Sequence, residues 1–362
     1  MIPILHLRQG TALYGADRAV LALSASTPRP YLPIVGAIGR PGVRHALAEE
    51  ARRRGLAAVR FDSASRFDLR CARAIARVAR ERGVRLLHAH DFKALSVGLV
   101  AGLLARVPVV ATFHGDTRTT AAVRLYELVA RVLGNFTRGV AAVSRTLERR
   151  LRRWVRIAPV AFVPNGLPES EPVSEAERRA ARAELALRPD AYCVALIGRL
   201  APEKGHRVLF ESARAIGATL LVAGDGPLRD ELREAARDLD VLFLGYLEDA
   251  REVFAAADVV AIPSLTEGLP LTALEAMALG RCVVASAVGE LPELLAGGAG
   301  VLVPPGDVPA LSDALRTVRG PACRARIERK ALARAQSYGV AAMAGAYASL
   351  YGRALSGSNS SR

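Results

Sequence analysis

Glu267 and Glu275 stand eight residues apart in the run Ser264-Leu265-Thr266-Glu267-Gly268-Leu269-Pro270-Leu271-Thr272-Ala273-Leu274-Glu275. The preceding segment, Asp258–Pro263, is apolar and β-branched and reads as a buried strand, and helical spacing follows Pro270 as far as Gly280. The first carboxylate is therefore expected on a strand-to-helix loop and the second one to two turns into the helix. Gly268 and Pro270 suit a helix start, where free backbone N–H groups point outward and attract anions, phosphate above all. Two carboxylates beside such a cradle would repel phosphate unless each held something else, such as sugar hydroxyls. The combination points to a sugar attached to a phosphate. An arbitrary pair of glutamates would carry little weight, because most surface carboxylates are only solvated.

A second constellation lies upstream, in Ala195-Leu196-Ile197-Gly198-Arg199-Leu200-Ala201-Pro202-Glu203-Lys204-Gly205. It again reads as strand, polar loop and helix. An Arg and a Lys converging from one loop form a reasonable diphosphate clamp, the Arg by its planar fork and the Lys as a point charge. Taken alone, both could be surface charges. The loop lacks the Gly-x-x-x-x-Gly-Lys-Ser/Thr pattern of an ATP-type phosphate loop.

Gly198-Arg199-Leu200 with Glu203-Lys204-Gly205, then Val222-Ala223-Gly224-Asp225-Gly226-Pro227, then the two-glutamate segment, then Gly300-Val301-Leu302-Val303-Pro304-Pro305-Gly306-Asp307 occur in this order. In these linked motifs the chain resembles the retaining glycosyltransferases of the large glycogen-synthase-like family, glycosyltransferase family 4. The resemblance spans nearly the whole chain and is strongest from Val194 to Asp307. It implies an α/β GT-B fold, two Rossmann-like domains facing each other across a cleft. It also implies a metal-independent hexosyltransferase that uses a nucleoside-diphosphate sugar and no cofactor. Arg199 and Lys204 would neutralise the leaving diphosphate, helped by the N–H groups around Leu271 and Thr272. Glu275 would hold the ribose hydroxyls. Glu267 would bind the donor sugar in a pocket shaped by Gly268, Leu269 and Pro270, and is not assigned as a covalent nucleophile. No Asp-x-Asp metal motif stands in the expected loop.

In the first half, His114 ends the strand-like run Val110-Ala111-Thr112-Phe113-His114-Gly115-Asp116, where open α/β sheets place ligands. Family members often have His-Gly here, so the resemblance makes His114 a sugar contact. His90, in Leu87-His88-Ala89-His90-Asp91, is a site or a structural residue. The segment Gly10–Arg18 corresponds to a glycine-rich loop that approaches the donor, with Gly15 allowing close backbone approach. Where many members have paired glycines and a Glu, this chain has Tyr14-Gly15 and Asp17. Cys282 and Glu290 replace a frequent proline and a frequent glycine, and Glu290 adds a negative charge near the donor helix.

The elements that must position these groups alternate between short β-rich runs and helices, the pattern of parallel sheets covered on both faces. Strands are expected near Ile4–Arg8, Ile34–Ile38, Ala58–Phe61, Arg85–His90, Val109–Phe113 and Val140–Val143. The pattern restarts at Tyr192–Ile197 and continues through Leu220–Ala223, Val241–Leu244, Val259–Ile262, Cys282–Ala285 and Gly300–Val303. At 362 residues the chain can bury two cores. The turn Asn165-Gly166-Leu167-Pro168 and the polar Glu169–Glu177 place the hinge near 165–175. The expected divisions are an acceptor-binding domain over 1–166, a nucleotide-sugar domain over 167–336, a helix over 337–355 crossing back to the first domain, and a disordered tail over 356–362.

Charge is unevenly spread. Residues 1–166 carry 28 Lys/Arg against 10 Asp/Glu, and residues 167–362 carry 22 against 25, giving the net +15. The densest cluster, Arg145, Arg149, Arg150, Arg152, Arg153 and Arg156, lies on an expected helix with Leu147, Leu151 and Trp154. Such a helix could lie on anionic lipid, which would suit a lipid-linked or glycan acceptor. Nucleic acid is not an expected partner, since no recognition module is visible. Four scattered cysteines without metal-site spacing suit a reduced, cytoplasmic protein, and Met1–Arg8 reads as a first strand rather than a signal peptide. A GT-B epimerase and a non-catalytic nucleotide-sugar-binding protein are the alternatives. A nicotinamide dehydrogenase would need a Gly-x-Gly-x-x-Gly that Gly10 and Gly15 do not supply.

Overall fold

The computed structural model describes residues 1–10, 13–65, 67–115 and 121–356. The chain divides into two compact units. The first comprises Met1–Pro168 together with the chain from Gly339 onward, and the second comprises Glu169–Tyr338.

The first unit is built on β1 (Ile2–Gln9), β2 (Tyr31–Gly39), β3 (Ala57–Asp62), β4 (Leu86–Ala89), β5 (Val109–Phe113), β6 (Gly139–Ala142) and β7 (Val160–Phe162). They form one parallel sheet in the order β3-β2-β1-β4-β5-β6-β7. Leu5 of β1 lies opposite Ile34 on one side and Leu87 on the other. All residues of β4 and β6 are buried, because helices cover both faces and remove the polar alternation of an exposed sheet. β7 was not expected from the sequence: Val160-Ala161-Phe162 is too short to show a period. The helix Val340–Ser356 belongs to this unit. Its Met343, Tyr347, Leu350 and Tyr351 pack with Ile4, Leu86 and Val110. Ser356, expected in the disordered tail, is its last residue and donates from Oγ to the Gly352 carbonyl at 2.8 Å. The rest of that tail, 357–362, lies outside the described residues.

The second unit holds β8 (Cys193–Ile197), β9 (Thr219–Ala223), β10 (Val241–Gly245), β11 (Val259–Ile262), β12 (Cys282–Ser286) and β13 (Val301–Val303), parallel in the order β10-β9-β8-β11-β12-β13. Val194, Leu196, Val222, Val259 and Val284 bury against Phe210, Leu311 and Leu315. At the amino ends of the central strands, buried Asp258 pairs with Arg178 at 2.9 Å and Arg324 at 3.1 Å and accepts the Cys193 N–H. These arginines secure the fold at the end remote from the strands' carboxyl termini. All four cysteines are free.

Each sheet reverses its winding once, between β1 and β4 in the first unit and between β8 and β11 in the second. The crevice outside the carboxyl ends of the strands at such a switch point is where open α/β sheets take ligands.

Candidate functional site

At the switch point of the second unit, β8 runs into Gly198-Arg199-Leu200 and β11 into Pro263-Ser264. The Gly224-Asp225-Gly226 turn locks the first of these loops. The Leu200 N–H donates to the Asp225 carbonyl at 3.0 Å, and the Gly198 N–H to Ala223 at 2.9 Å. Cβ atoms at Gly224 and Gly226 would overlap the carbonyls of Gly198 and Leu200, so these glycines permit the close approach. Gly205, at φ +69°, packs against the Pro263 carbonyl in the same way, and the Leu265 N–H reaches Glu203 at 2.8 Å. These backbone contacts carry Lys204 to the end of β11.

There Lys204 Nζ meets Glu267 Oε1 at 2.6 Å, and Ser264 Oγ donates to the same oxygen at 2.7 Å. The Glu267 side chain is only 9% exposed, against 26% for Lys204. A buried carboxylate held by one cation and one hydroxyl has its direction fixed while the ammonium keeps donor capacity. Arg199 is solvent-exposed on the loop after β8. Pro270 caps the helix Leu271–Ala278, whose first N–H groups lack intrahelical acceptors. Thr272 Oγ1 ties that helix to the Ile197 carbonyl at 3.2 Å. Glu275 is half-buried within it, while Gly268, Leu269 and Pro270 are buried. Gly268 accepts the Glu290 N–H at 2.8 Å, and Glu290 is itself buried. The second unit thus gathers Lys204, Glu267 and Thr272 with the helix start at the sheet end. Ser264 and Gly289, which packs on the Glu267 carbonyl, were missed from the sequence. Serine and glycine are too common for either to stand out.

Gly15 and His114 belong to the first unit. Gly15 is not in a loop but opens the helix Gly15–Ser26, and a Cβ there would meet nothing within 4 Å, so packing does not require glycine. Thr11 and Ala12 of the expected glycine-rich loop, and Asp116 after His114, lie outside the described residues. Asp17 is buried and accepts Arg8 Nε at 2.8 Å and the Tyr14 N–H at 3.0 Å. Burial pushes the Asp17 carboxyl above its ordinary pKa, and Arg8 partly offsets this.

His114 joins a histidine chain. His114 Nε2 lies 3.4 Å from His90 Nδ1, and His90 Nε2 lies 3.1 Å from His6 Nδ1. His88 bridges Tyr351 and Thr112, each at 2.8 Å. Burial holds His6 and His114 neutral, their pKa values down to about 3, and Arg8 adds to the effect at His114. Nδ1 of His114 has no hydrogen-bond partner among the described residues. A neutral imidazole with an unpartnered nitrogen can bind a hydroxyl as donor or acceptor. His6, His88 and His90 place ring nitrogens within 4.8 Å of one another, close enough for a metal. His88, however, already uses both nitrogens on hydroxyl groups, a poor ligand set.

His90 and His114 also line a cavity of about 550 Å³ within the first unit, at the carboxyl ends of β1, β4 and β5. Arg8, Arg40, Lys93 and Glu127 border it too. Sequence reading had not singled out Arg40 or Lys93, since isolated cations among 50 carry no signal.

Leu147 and Leu151 of the helix Arg145–Trp154 are buried against Val140, Ala142 and Val160, so its apolar stripe serves the domain core and not a lipid surface. Arg152 is held by Glu148 at 2.8 Å and the Val160 carbonyl at 2.8 Å. Trp154 and Ile157 remain 47% and 79% exposed beside Arg149, Arg150, Arg153 and Arg156. No helix of the described residues is long and apolar enough to cross a membrane.

Residues 21–171 match the family model "Glycosyltransferase Family 4", and residues 191–319 match "Glycosyl transferases group 1". The phosphatidyl-myo-inositol mannosyltransferase of Mycolicibacterium smegmatis is 33% identical over 246 residues, covering 64% of this chain and 61% of that protein. The D-inositol 3-phosphate glycosyltransferase of Mycobacterium bovis is 40% identical over 178 residues, covering 44% of this chain and 36% of its own length. The chain therefore spans less than two thirds of either relative. The structure of HepE from Anabaena, in complex with UDP and glucose, superposes with a TM-score of 0.87 at 24% identity over 97% of this chain and 100% of that one. Sucrose-phosphate synthase from Thermosynechococcus elongatus gives 0.81 at 23% identity over 99% and 100%. The fold is that of the GT-B glycosyltransferases, and both halves are related in sequence to glycosyltransferases.

Proposed function

From two Rossmann-like units of GT-B type, each matched by a glycosyltransferase family model, we propose that this protein is a retaining, metal-independent family 4 glycosyltransferase. It transfers a hexose-type sugar from a nucleoside diphosphate to a hydroxyl of a glycan or lipid-linked acceptor. The observation that carries the reading is the Lys204–Glu267 pair beside the helix start at Leu271. The leaving diphosphate gains charge in the transition state, and preorganised donors aimed at that charge stabilise it. Lys204, Arg199 and the N–H groups at Leu271 and Thr272 supply them without a metal. Glu275 takes the ribose hydroxyls. Glu267, oriented by Lys204 and Ser264, takes hydroxyls of the donor sugar.

Two of the relatives act, by name, on inositol-bearing compounds, which favours a cyclic polyol as acceptor. Synthesis of a bacterial surface polysaccharide or glycolipid at the cytoplasmic face of the inner membrane is the setting this reading favours, with Arg149, Arg150, Arg153 and Trp154 meeting anionic lipid. The test is incubation with radiolabelled UDP-, GDP- and ADP-sugars, with and without acceptor lipids and glycans. Transfer or slow donor hydrolysis with one donor is expected. Recovery of an epimerised sugar nucleotide alone would overturn transfer in favour of epimerisation.

A further inference from the structure

The loops that enter β2 to β7 lie at the amino-end pole of the first sheet, opposite the cavity at the carboxyl ends of β1, β4 and β5. Each of these loops carries an exposed arginine: Arg29, Arg54, Arg82, Arg106, Arg138 and Arg156. Residues 27–30, 54–56, 82–85, 106–108, 134–138 and 155–159 contain no Asp or Glu. In the adjoining last turns Glu50 pairs with Arg54 at 2.6 Å and Glu81 with Arg77 at 4.0 Å. Helix dipoles favour cations at this end, but they do not call for exposed apolar side chains beside them. Asn135 builds such a group. Its Nδ2 donates to the Val132 carbonyl at 3.1 Å and the Trp154 carbonyl at 2.9 Å, and its Oδ1 accepts the N–H groups of Arg156 at 2.7 Å and Ile157 at 3.1 Å. These bonds fasten the turn Gly134–Phe136 to the end of the helix Arg145–Trp154. Phe136, Trp154 and Ile157 thereby stand on adjoining segments, 70%, 47% and 79% exposed. Apolar side chains grouped in this way and rimmed by charge mark an interaction surface. Arginines spread over every loop of the pole face a plane of negative charge, as anionic headgroups form, and not a single groove.

We propose that the amino-end pole of the first unit docks on an anionic bilayer, with Phe136, Trp154 and Ile157 inserted and the loop arginines on the headgroups. The docking face is then separate from the ligand crevice, which opens at the other pole. A strand such as β5 holds the two poles roughly 15 Å apart. The acceptor hydroxyl therefore stands out from the docked bilayer, as it does on the outer sugars of a lipid-linked glycan and not on a phospholipid headgroup. This last step rests on the glycosyltransferase reading, whereas the docking does not.

Sedimentation of the full chain with phosphatidylcholine vesicles, with and without phosphatidylglycerol, tests the docking. Retention is expected only with phosphatidylglycerol. Arg106→Gln, Arg138→Gln and Arg156→Gln together should weaken it about a hundredfold. Phe136→Ser with Ile157→Ser should remove the part that survives high salt. All of these residues are exposed, so the variants keep the fold. Trp154 is the only tryptophan in the chain, so its emission reports this pole alone. Brominated phosphatidylcholine in the phosphatidylglycerol vesicles should quench it. Phe67→Trp in a Trp154→Phe background moves the reporter to the loop after β3, where Phe67 is 64% exposed and its ring lies 5.8 Å from that of Phe92 in the cavity wall. That emission should stay unquenched. Failure to bind phosphatidylglycerol vesicles, which would point to an acidic protein partner, overturns the docking. So does binding unchanged in both sets of variants, or quenching of the Phe67→Trp reporter. Label from a sugar nucleotide recovered in phosphatidylinositol of the docked vesicles would overturn the acceptor step. The absence of transfer or hydrolysis with every sugar nucleotide fails the enzyme reading alone and leaves the quenching result standing.

Discussion

In a donor complex Lys204 would be shared between two anions, Glu267 and the diphosphate. At the observed 2.6 Å, the attraction between Lys204 and Glu267 is about 6 kcal/mol with an effective dielectric of about 20. Removing both groups from water offsets most of that, which leaves a coupling of about 1–2 kcal/mol. Glu267→Gln abolishes the coupling and releases the ammonium to the phosphate. Binding of the matching nucleoside diphosphate should then be unchanged or up to about tenfold tighter, while turnover of the full donor falls. Lys204→Met should have the opposite effect on binding. It removes a charge-assisted contact and leaves Glu267 with Ser264 alone, at 2.7 Å, facing the phosphate. The expected loss is about 2 kcal/mol in nucleotide affinity and about 2–4 kcal/mol in transition-state stabilisation. The double variant should bind nucleotide better than Lys204→Met, because no unpaired carboxylate then repels it. Calorimetry gives the affinities, single-turnover donor consumption gives the rates, and urea unfolding checks that each variant is folded. If Glu267→Gln weakens nucleotide binding as much as Lys204→Met, the two anions do not share the lysine.

Glu275→Gln should loosen the free nucleoside diphosphate, in contrast with Glu267→Gln, and calorimetry showing the reverse pattern would exchange the two roles. Activity should persist in EDTA, and an absolute requirement for Mg²⁺ or Mn²⁺ would contradict charge neutralisation by Arg199, Lys204 and helix N–H groups. Buried His6 has its pKa depressed from 6.5 to about 3, so its stabilising effect is fully present above pH 6.5 and is lost as pH falls toward 3. At a pH of about 5.5 that histidine alone costs about 1.4 kcal/mol, and buried His88 and His90 act in the same direction. A urea midpoint for the first unit that does not move between pH 7.5 and 5.5 would refute a neutral histidine cluster. Replacing Arg149, Arg150, Arg152 and Arg153 together by Gln should release the protein from anionic vesicles, each arginine contributing on the order of 1 kcal/mol. Equal sedimentation of variant and parent would exclude these arginines as the lipid contact.

Local pattern alone made the alternation of strands and helices legible, together with the strand-loop-helix setting of Glu267 and Glu275 and the loop carrying Arg199 and Lys204. Each depends on propensity and spacing within about fifteen residues, where apolar runs, Gly and Pro are strong signals. The three-residue β7 escaped because its pairing with β6, and not its own composition, makes it a strand. The amphipathic helix Arg145–Trp154 showed a real apolar stripe, but periodicity does not say what covers it, and the stripe turned out to face Val140 and Val160. Ser356 looked like tail because serine and glycine follow it, whereas packing of Tyr351 and Ala354 carries the helix through it. The contacts that build the site are between residues far apart in the chain. Lys204 and Glu267 are 63 residues apart, and His6 and His90 are 84 apart. The residue types showed which charges were available. Only parallel strand order, which brings β8 beside β11 and β1 beside β4, decided which of them meet, because a sheet joins strands by hydrogen-bond register and not by nearness in sequence.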